Sequence, residues 1–174
     1  MPLAAALGLD NLQYQINQPD EATLLQWYKM KNIGIEGPKI LAEDLIYFGL
    51  RDYEEAEQKV INDNAIKFYK VEELRFKGLK NCVQEALQLL SKCDLLYISF
   101  DVDSMDCDRI SYGTGTPVPA GFNPDEIVQI IQLFQATGKV KCIEFTEVNP
   151  LLDNKGNKMA ETAFEVLDKI STTI

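Results

Sequence analysis

Leu95-Leu96-Tyr97-Ile98-Ser99-Phe100-Asp101-Val102-Asp103 opens the stretch 95–119, LLYISFDVDSMDCDRISYGTGTPVP, from which the fold can be read. The apolar run Leu95–Phe100 predicts a strand buried on both faces, as in a parallel sheet. Asp101 and Asp103 follow it one residue apart. Side chains at i and i+2 of a strand share a side, so the two carboxylates are predicted to converge. The C-terminal end of a strand in an open α/β sheet is where ligands bind. Two converging carboxylates repel each other and lose water at a cost, which a cation between them relieves. The competing reading is structural: an Asp at a strand end also serves as a helix cap or turn former. Asp106 and Asp108 are read as turn residues.

Gly113-Thr114-Gly115-Thr116-Pro117-Val118-Pro119 then predicts a tight loop. Its glycines allow close backbone approach to a ligand, and its prolines fix the path. Ile143-Glu144-Phe145-Thr146-Glu147-Val148-Asn149-Pro150 is a second strand ending in an acid. The order SFDVD, GTGTPV, EFTEVNP resembles the ureohydrolase family. Tyr47-Phe48-Gly49-Leu50-Arg51-Asp52-Tyr53-Glu54-Glu55-Ala56-Glu57, with Val118 after GTGTP, is similar to its bacterial arginase branch rather than to agmatinase. The resemblance runs in order through nearly the whole chain.

That resemblance implies a hydrolase of the guanidinium group of L-arginine, giving L-ornithine and urea. The family uses two manganese ions bridged by hydroxide, which attacks the guanidinium carbon. Hard Mn²⁺ suits carboxylate oxygens, and paired metals make hydroxide available near neutral pH. Asp101 and Asp103 match the family's last two metal ligands. Glu147 matches the acid that holds and orients the guanidinium, and is the candidate catalytic residue. Thr116 matches the loop threonine beside the site. Asp52, Glu54 and Glu57 match acids that help bind the substrate α-amino group. Position 54 is Asp in many arginases. The structural alternative for Glu54, Glu55 and Glu57 is a first helical turn, where the helix dipole favours acids. Cys107 stands where the family has proline, a change expected to soften the loop without removing a ligand.

The 174 residues suffice for a core, and 46% apolar content argues against disorder. A net charge of −10 disfavours nucleic acid and anionic membrane as partners. Cys82, Cys93, Cys107 and Cys142 form no CxxC pair, so free thiols in a reducing cytoplasm are expected. No apolar run approaches a membrane span, and Met1–Leu7 lacks the basic start of a signal peptide. The chain has no histidine, which excludes within it a Ser-His-Asp triad, a Cys-His pair or an imidazole-ligated metal.

In order, helices are expected over Met1–Leu9, over Glu21–Met30 with Asp20 as cap, after Glu54, over Leu79–Lys92, after Asn123, and near the C-terminus. Strands are expected over Asp44–Leu50, Ile66–Tyr69, Leu95–Phe100 and Val140–Phe145. Leu79, Val83, Ala86, Leu87 and Leu90 form one apolar stripe. Asn123-Pro124-Asp125-Glu126 reads as a capping box with Pro at the first position, and Ile127, Ile130, Ile131 and Phe134 as the stripe behind it. Ala160, Ala163, Phe164 and Leu167 are the expected buried face of the last helix. Trp27 is expected in a core or interface.

This alternation predicts an α/β fold, a three-layer parallel sheet with helices on both faces. Residues 1–174 resemble the C-terminal portion of a ureohydrolase domain, beginning mid-fold and lacking its N-terminal strands. The family's upstream ligands and proton-shuttling histidine are therefore expected to be absent. The chain alone should be nearly inactive, since two carboxylates cannot complete a binuclear site. In the family a DAHxD strand lies between the two strand pairs retained here. Its absence predicts either closure of the gap or self-association over exposed edges.

Rivals stay open. A haloacid dehalogenase-class phosphohydrolase also places DxD after an apolar strand, but Met105 stands where that motif wants Thr or Val. Agmatinase and formimidoylglutamase chemistry are alternatives within the family. A non-catalytic interaction module with the same fold is the alternative outside enzymology.

Overall fold

The computed structural model describes residues 2–10 and 16–172. The chain forms two compact units, Met1–Ile46 with Tyr53–Lys67, and Tyr47–Asp52 with Phe68–Ile174.

In the first unit α1 spans Pro2–Ala6 and α2 spans Glu21–Lys31. Asp20 caps α2 as expected, its carboxylate accepting the Thr23 N–H at 2.7 Å. Leu24, Leu25 and Tyr28 of this helix are all exposed. Trp27 is half-buried, donating from Nε1 to Asp10, which also receives Lys31 Nζ at 2.7 Å. Helix α3, Glu55–Asp63, starts at Glu54, whose N–H is accepted by the Glu57 carboxylate at 2.8 Å. Strands β1, Ile46–Phe48, and β2, Lys67–Tyr69, pair in a two-stranded sheet. Strand β1 is shorter than the Asp44–Leu50 expected, because Ala42–Asp44 coils into a 3₁₀ turn before it.

The second unit holds the larger core. Helix α4 is Val71–Lys77, α5 Leu79–Leu89, β3 Leu96–Asp101, α6 Pro124–Gln135, β4 Val140–Thr146 and α7 Lys158–Ser171. Strands β3 and β4 run parallel, with Ile98 opposite Ile143 and Asp101 opposite Thr146. Phe100 meets Phe145 edge to face across the pair, centroids 5.0 Å apart. Helix α6 begins with the expected box: Asn123 Oδ1 accepts the Glu126 N–H, and Glu126 Oε2 accepts the Asn123 N–H. Its buried stripe is Ile127, Val128, Ile130, Ile131 and Phe134, and it packs against both α5 and α7. Phe134 reaches Phe48 of β1, edge to face at 5.7 Å.

Two expectations are corrected. Leu95–Phe100 is not buried on both faces: Leu96 and Phe100 are buried, but Leu95, Tyr97 and Ser99 are exposed. Cys142 and Glu144, the partners of Tyr97 and Ser99 in β4, are exposed too, so one side of this pair is bare. Helix α7 buries Met159, Thr162, Ala163, Val166 and Ile170, while Phe164 is 68% exposed and Leu167 is also exposed. Both stripes have helical spacing, and packing selects the one that the periodicity ranks equally. The described strands form two separate pairs, β1-β2 and β3-β4, so of the two outcomes expected for the missing strand, closure of the gap is not the one seen.

Candidate functional site

Strand β3 ends at Asp101, and the chain turns at once into a 3₁₀ turn over Val102–Ser104. Asp101 caps that turn, its Oδ1 accepting the Asp103 N–H at 3.1 Å. Ser104 Oγ donates to the Asp101 carbonyl at 2.6 Å. The two aspartates are thus joined through a turn rather than by the pleat of a continuing strand, which corrects the i, i+2 argument. The structural role expected of a strand-end Asp and the site role coexist in Asp101.

Thr116 donates from Oγ1 to Asp103 Oδ2 at 2.5 Å, so the 113–119 loop touches the aspartate pair directly. The start of the loop is fixed to the segment after β4, because the Gly113 carbonyl accepts the Asn149 N–H at 2.9 Å. Gly113 has to be glycine: a Cβ there would lie 2.5 Å from Asp153 Oδ2 and 2.6 Å from Met159 Cβ. Asp153 organises this corner, accepting from Ser111 Oγ, Met159 N and Lys155 N.

Glu147 follows Thr146, which lies opposite Asp101 in the register. It adopts φ 63°, left-handed backbone that is uncommon for a glutamate. A Cβ on Gly115 would meet Glu147 Oε2 at 3.4 Å, so the loop passes close to this carboxylate. The charge of Glu147 is felt at Asp101. Burial, the charge of Asp103 and then that of Glu147 push the Asp101 carboxyl up to about 6, against the lowering effect of the Asp103 N–H.

Asp101, Asp103, Thr116 and Glu147 therefore gather at the C-terminal end of β3 and β4. Asp52 is exposed just beyond β1. Glu54 and Glu57 lie in the first unit, where they serve the start of α3. Asp106 and Asp108 make turns as expected: Asp106 Oδ1 accepts the Asp108 N–H, and Asp108 Oδ1 accepts the Tyr112 hydroxyl. Cys107 is fully buried between them.

Sequence reasoning missed Arg51. Its guanidinium donates to the carbonyls of Gly49, Asp103, Ser104 and Val118. Burial pulls its pKa down from the ordinary value, with Asp103 foremost among the charges opposing that shift. Its signals in the sequence were its place shortly after an apolar strand and its membership of the 47–57 segment.

Among the described residues, no group of three or more His, Cys, Asp or Glu could hold a metal ion. Asp101 and Asp103 are two oxygen donors, far short of two octahedral shells. The described residues do not fit a binuclear centre.

The Arginase family profile matches residues 11–172. Arginase of Bacillus subtilis (strain 168) is 32% identical over 170 residues, covering 98% of this chain and 51% of that protein. The crystal structure of Helicobacter pylori arginase aligns with a TM-score of 0.85 at 30% identity, over 99% of this chain and 56% of that one. Formimidoylglutamase from Bacillus subtilis aligns with a TM-score of 0.70 at 25% identity, over 78% and 42%. The α/β architecture read from the sequence is thus that of solved arginases. The chain spans about half the length of the curated relatives it matches, and it belongs to the Arginase family.

Proposed function

We propose that this chain carries the C-terminal half of an arginase site and that it hydrolyses little or no L-arginine by itself. The observation behind this reading is the joined cluster at the ends of β3 and β4, where Thr116 holds Asp103 and Glu147 directly follows Thr146, the register partner of Asp101. Asp101 and Asp103 would give two of the carboxylate ligands that a complete manganese centre needs. Glu147 would pair with the planar guanidinium of L-arginine through two parallel N–H···O bonds and orient its central carbon. Thr116 would hold Asp103 in place beside it. Asp52, Glu54 and Glu57 would face the substrate α-amino group in a complete site. A cytoplasmic setting suits the free thiols, and no helix of the described residues is long and apolar enough to cross a membrane.

Complementation tests the reading. The purified chain is mixed with the N-terminal half of Bacillus subtilis arginase in the presence of Mn²⁺, and urea is measured. Urea is expected from the mixture, none from either part, and none once Asp101→Asn or Asp103→Asn is introduced. Rapid turnover by the chain alone, or a silent mixture when the two matched halves of the Bacillus enzyme recombine, overturns it. Product analysis with L-arginine, agmatine and formimidoylglutamate assigns the substrate.

A second reading is favoured by the absence of histidine and of any three-donor group among the described residues. In it the chain is a non-catalytic interaction module of the same fold. An in-frame DAHxD segment in the adjoining upstream DNA would decide for the enzyme. The bare side of β3–β4 and the open edges of both strand pairs support self-association under either reading.

A further inference from the structure

Three segments meet behind the aspartate pair: the end of β1, the turn after β3 and the exit of the 113–119 loop. One side chain joins them. Arg51 Nη1 donates to Ser104 O at 2.9 Å and Gly49 O at 3.2 Å, and Nη2 donates to Asp103 O at 2.5 Å and Val118 O at 3.2 Å. All four acceptors are backbone carbonyls, so the contacts fix the path of the main chain and leave the Asp103 carboxylate to other partners. Thr116 Oγ1 also holds Asp103 Oδ2. The turn and the loop are therefore tied twice, once through Thr116 and once through Arg51.

We propose that Arg51 is a positioning residue, a guanidinium clamp that sets the distance between the Asp101–Ser104 turn and the 113–119 loop and so holds Thr116 against Asp103. The proposal rests on the reading above only in treating Asp103 and Thr116 as site residues. A planar fork can address four carbonyls at once, whereas a lysine ammonium offers three donors from one point. Arg51 Nε is buried without a hydrogen-bond partner. A buried unpaired N–H is costly, and the four hydrogen bonds from the Nη groups offset that cost. The positive charge also lies beside Asp101, Asp103 and Asp106, whose mutual repulsion it offsets.

The test is amide exchange on the full chain, resolved by segment. In Arg51→Ala, exchange at residues 103–105 and 113–118 should quicken by at least about tenfold, with α5 and α6 unchanged. Arg51→Lys keeps the charge without the fork and should also exchange fast there. Ethylguanidinium added to Arg51→Ala should restore slow exchange, and ethylammonium should not. Four results would overturn the clamp: unchanged exchange in both segments, equal acceleration throughout α5 and α6, wild-type behaviour of Arg51→Lys, or equal rescue by the two cations. If Arg51→Ala does not fold, ¹⁵N spectra of the wild-type chain decide. Hindered rotation of the Arg51 Nη groups supports the clamp, and free rotation overturns it. None of this uses turnover, so a silent complementation assay leaves the clamp standing, and a failed clamp leaves the hydrolytic reading standing.

Discussion

Glu147 carries a conflict between backbone and chemistry. Its left-handed φ of 63° costs about 1 kcal/mol for a residue with a Cβ. Its carboxylate also adds charge near Asp101. Both effects disappear in Glu147→Asn, since asparagine tolerates this backbone region and is neutral. The variant should gain roughly 0.5–1 kcal/mol in chemical denaturation while losing the group proposed to hold the guanidinium. A loss of stability would show that the carboxylate makes a contact worth more than its strain. Gly121 behaves oppositely. A Cβ there would lie 2.4 Å from the Met105 carbonyl carbon, beside the turn that carries the aspartates. Backbone cannot yield as a side chain can, so Gly121→Ala should lose about 2–4 kcal/mol, read as a lower denaturation midpoint. Asp101, Asp103, Thr116 and Glu147 were legible in the sequence because their motifs lie in unbroken stretches. Arg51 was not, because its role comes from carbonyls of residues more than fifty positions away in the chain.

Helix α6 shows how far a local pattern reaches. Its cap, its first-turn proline and its buried stripe were all readable, because each depends on neighbours within four residues. The partner of its capping acid was not. Glu126 also pairs with Arg75 of α4, at 2.7 Å from Nε and 2.8 Å from Nη2. Arg75, foremost, holds the Glu126 carboxyl below the ordinary glutamate range. A carboxyl whose folded pKa is depressed adds stability above its unfolded pKa and loses it as pH falls through the folded value. Glu126→Gln preserves the cap but removes the charge. It should cost about 1 kcal/mol at pH 7, and the gap to wild type should shrink as the pH drops below 4. Urea titrations at both pH values check this, and a gap that stays constant refutes the charge-pair account. Helix α7 marks the limit of the same reasoning. Two apolar stripes one residue out of phase fit its sequence, and only the packing against α6 selects Met159, Ala163, Val166 and Ile170 over Phe164 and Leu167.

The bare side of β3–β4 raises the question of what covers it. The apolar run from Leu95 to Phe100 suits burial on two sides, and this chain covers one. Tyr97 remains 58% exposed beside exposed Leu95, with Ser99, Cys142 and Glu144 on the same side of the pair. Ser99 Oγ and Tyr97 both hydrogen-bond Glu144, so the polar groups there are satisfied within the chain and the aromatic ring is left to contact water. Strand pairs with open edges and one apolar ring exposed gain from meeting a second copy, because ladder bonds and ring burial are won together. The described strands form two separate pairs, so rearrangement within the chain does not remove that gain. Sedimentation velocity across micromolar concentrations should therefore show reversible self-association. Tyr97→Lys removes the ring and adds a charge to the contact, and should shift the equilibrium toward monomer by roughly tenfold or more. Cys142→Ser changes the same side without charge or much area and should leave the equilibrium in place. A strictly monomeric wild-type chain would mean that the exposed side is tolerated by water alone, and self-association would have to be abandoned.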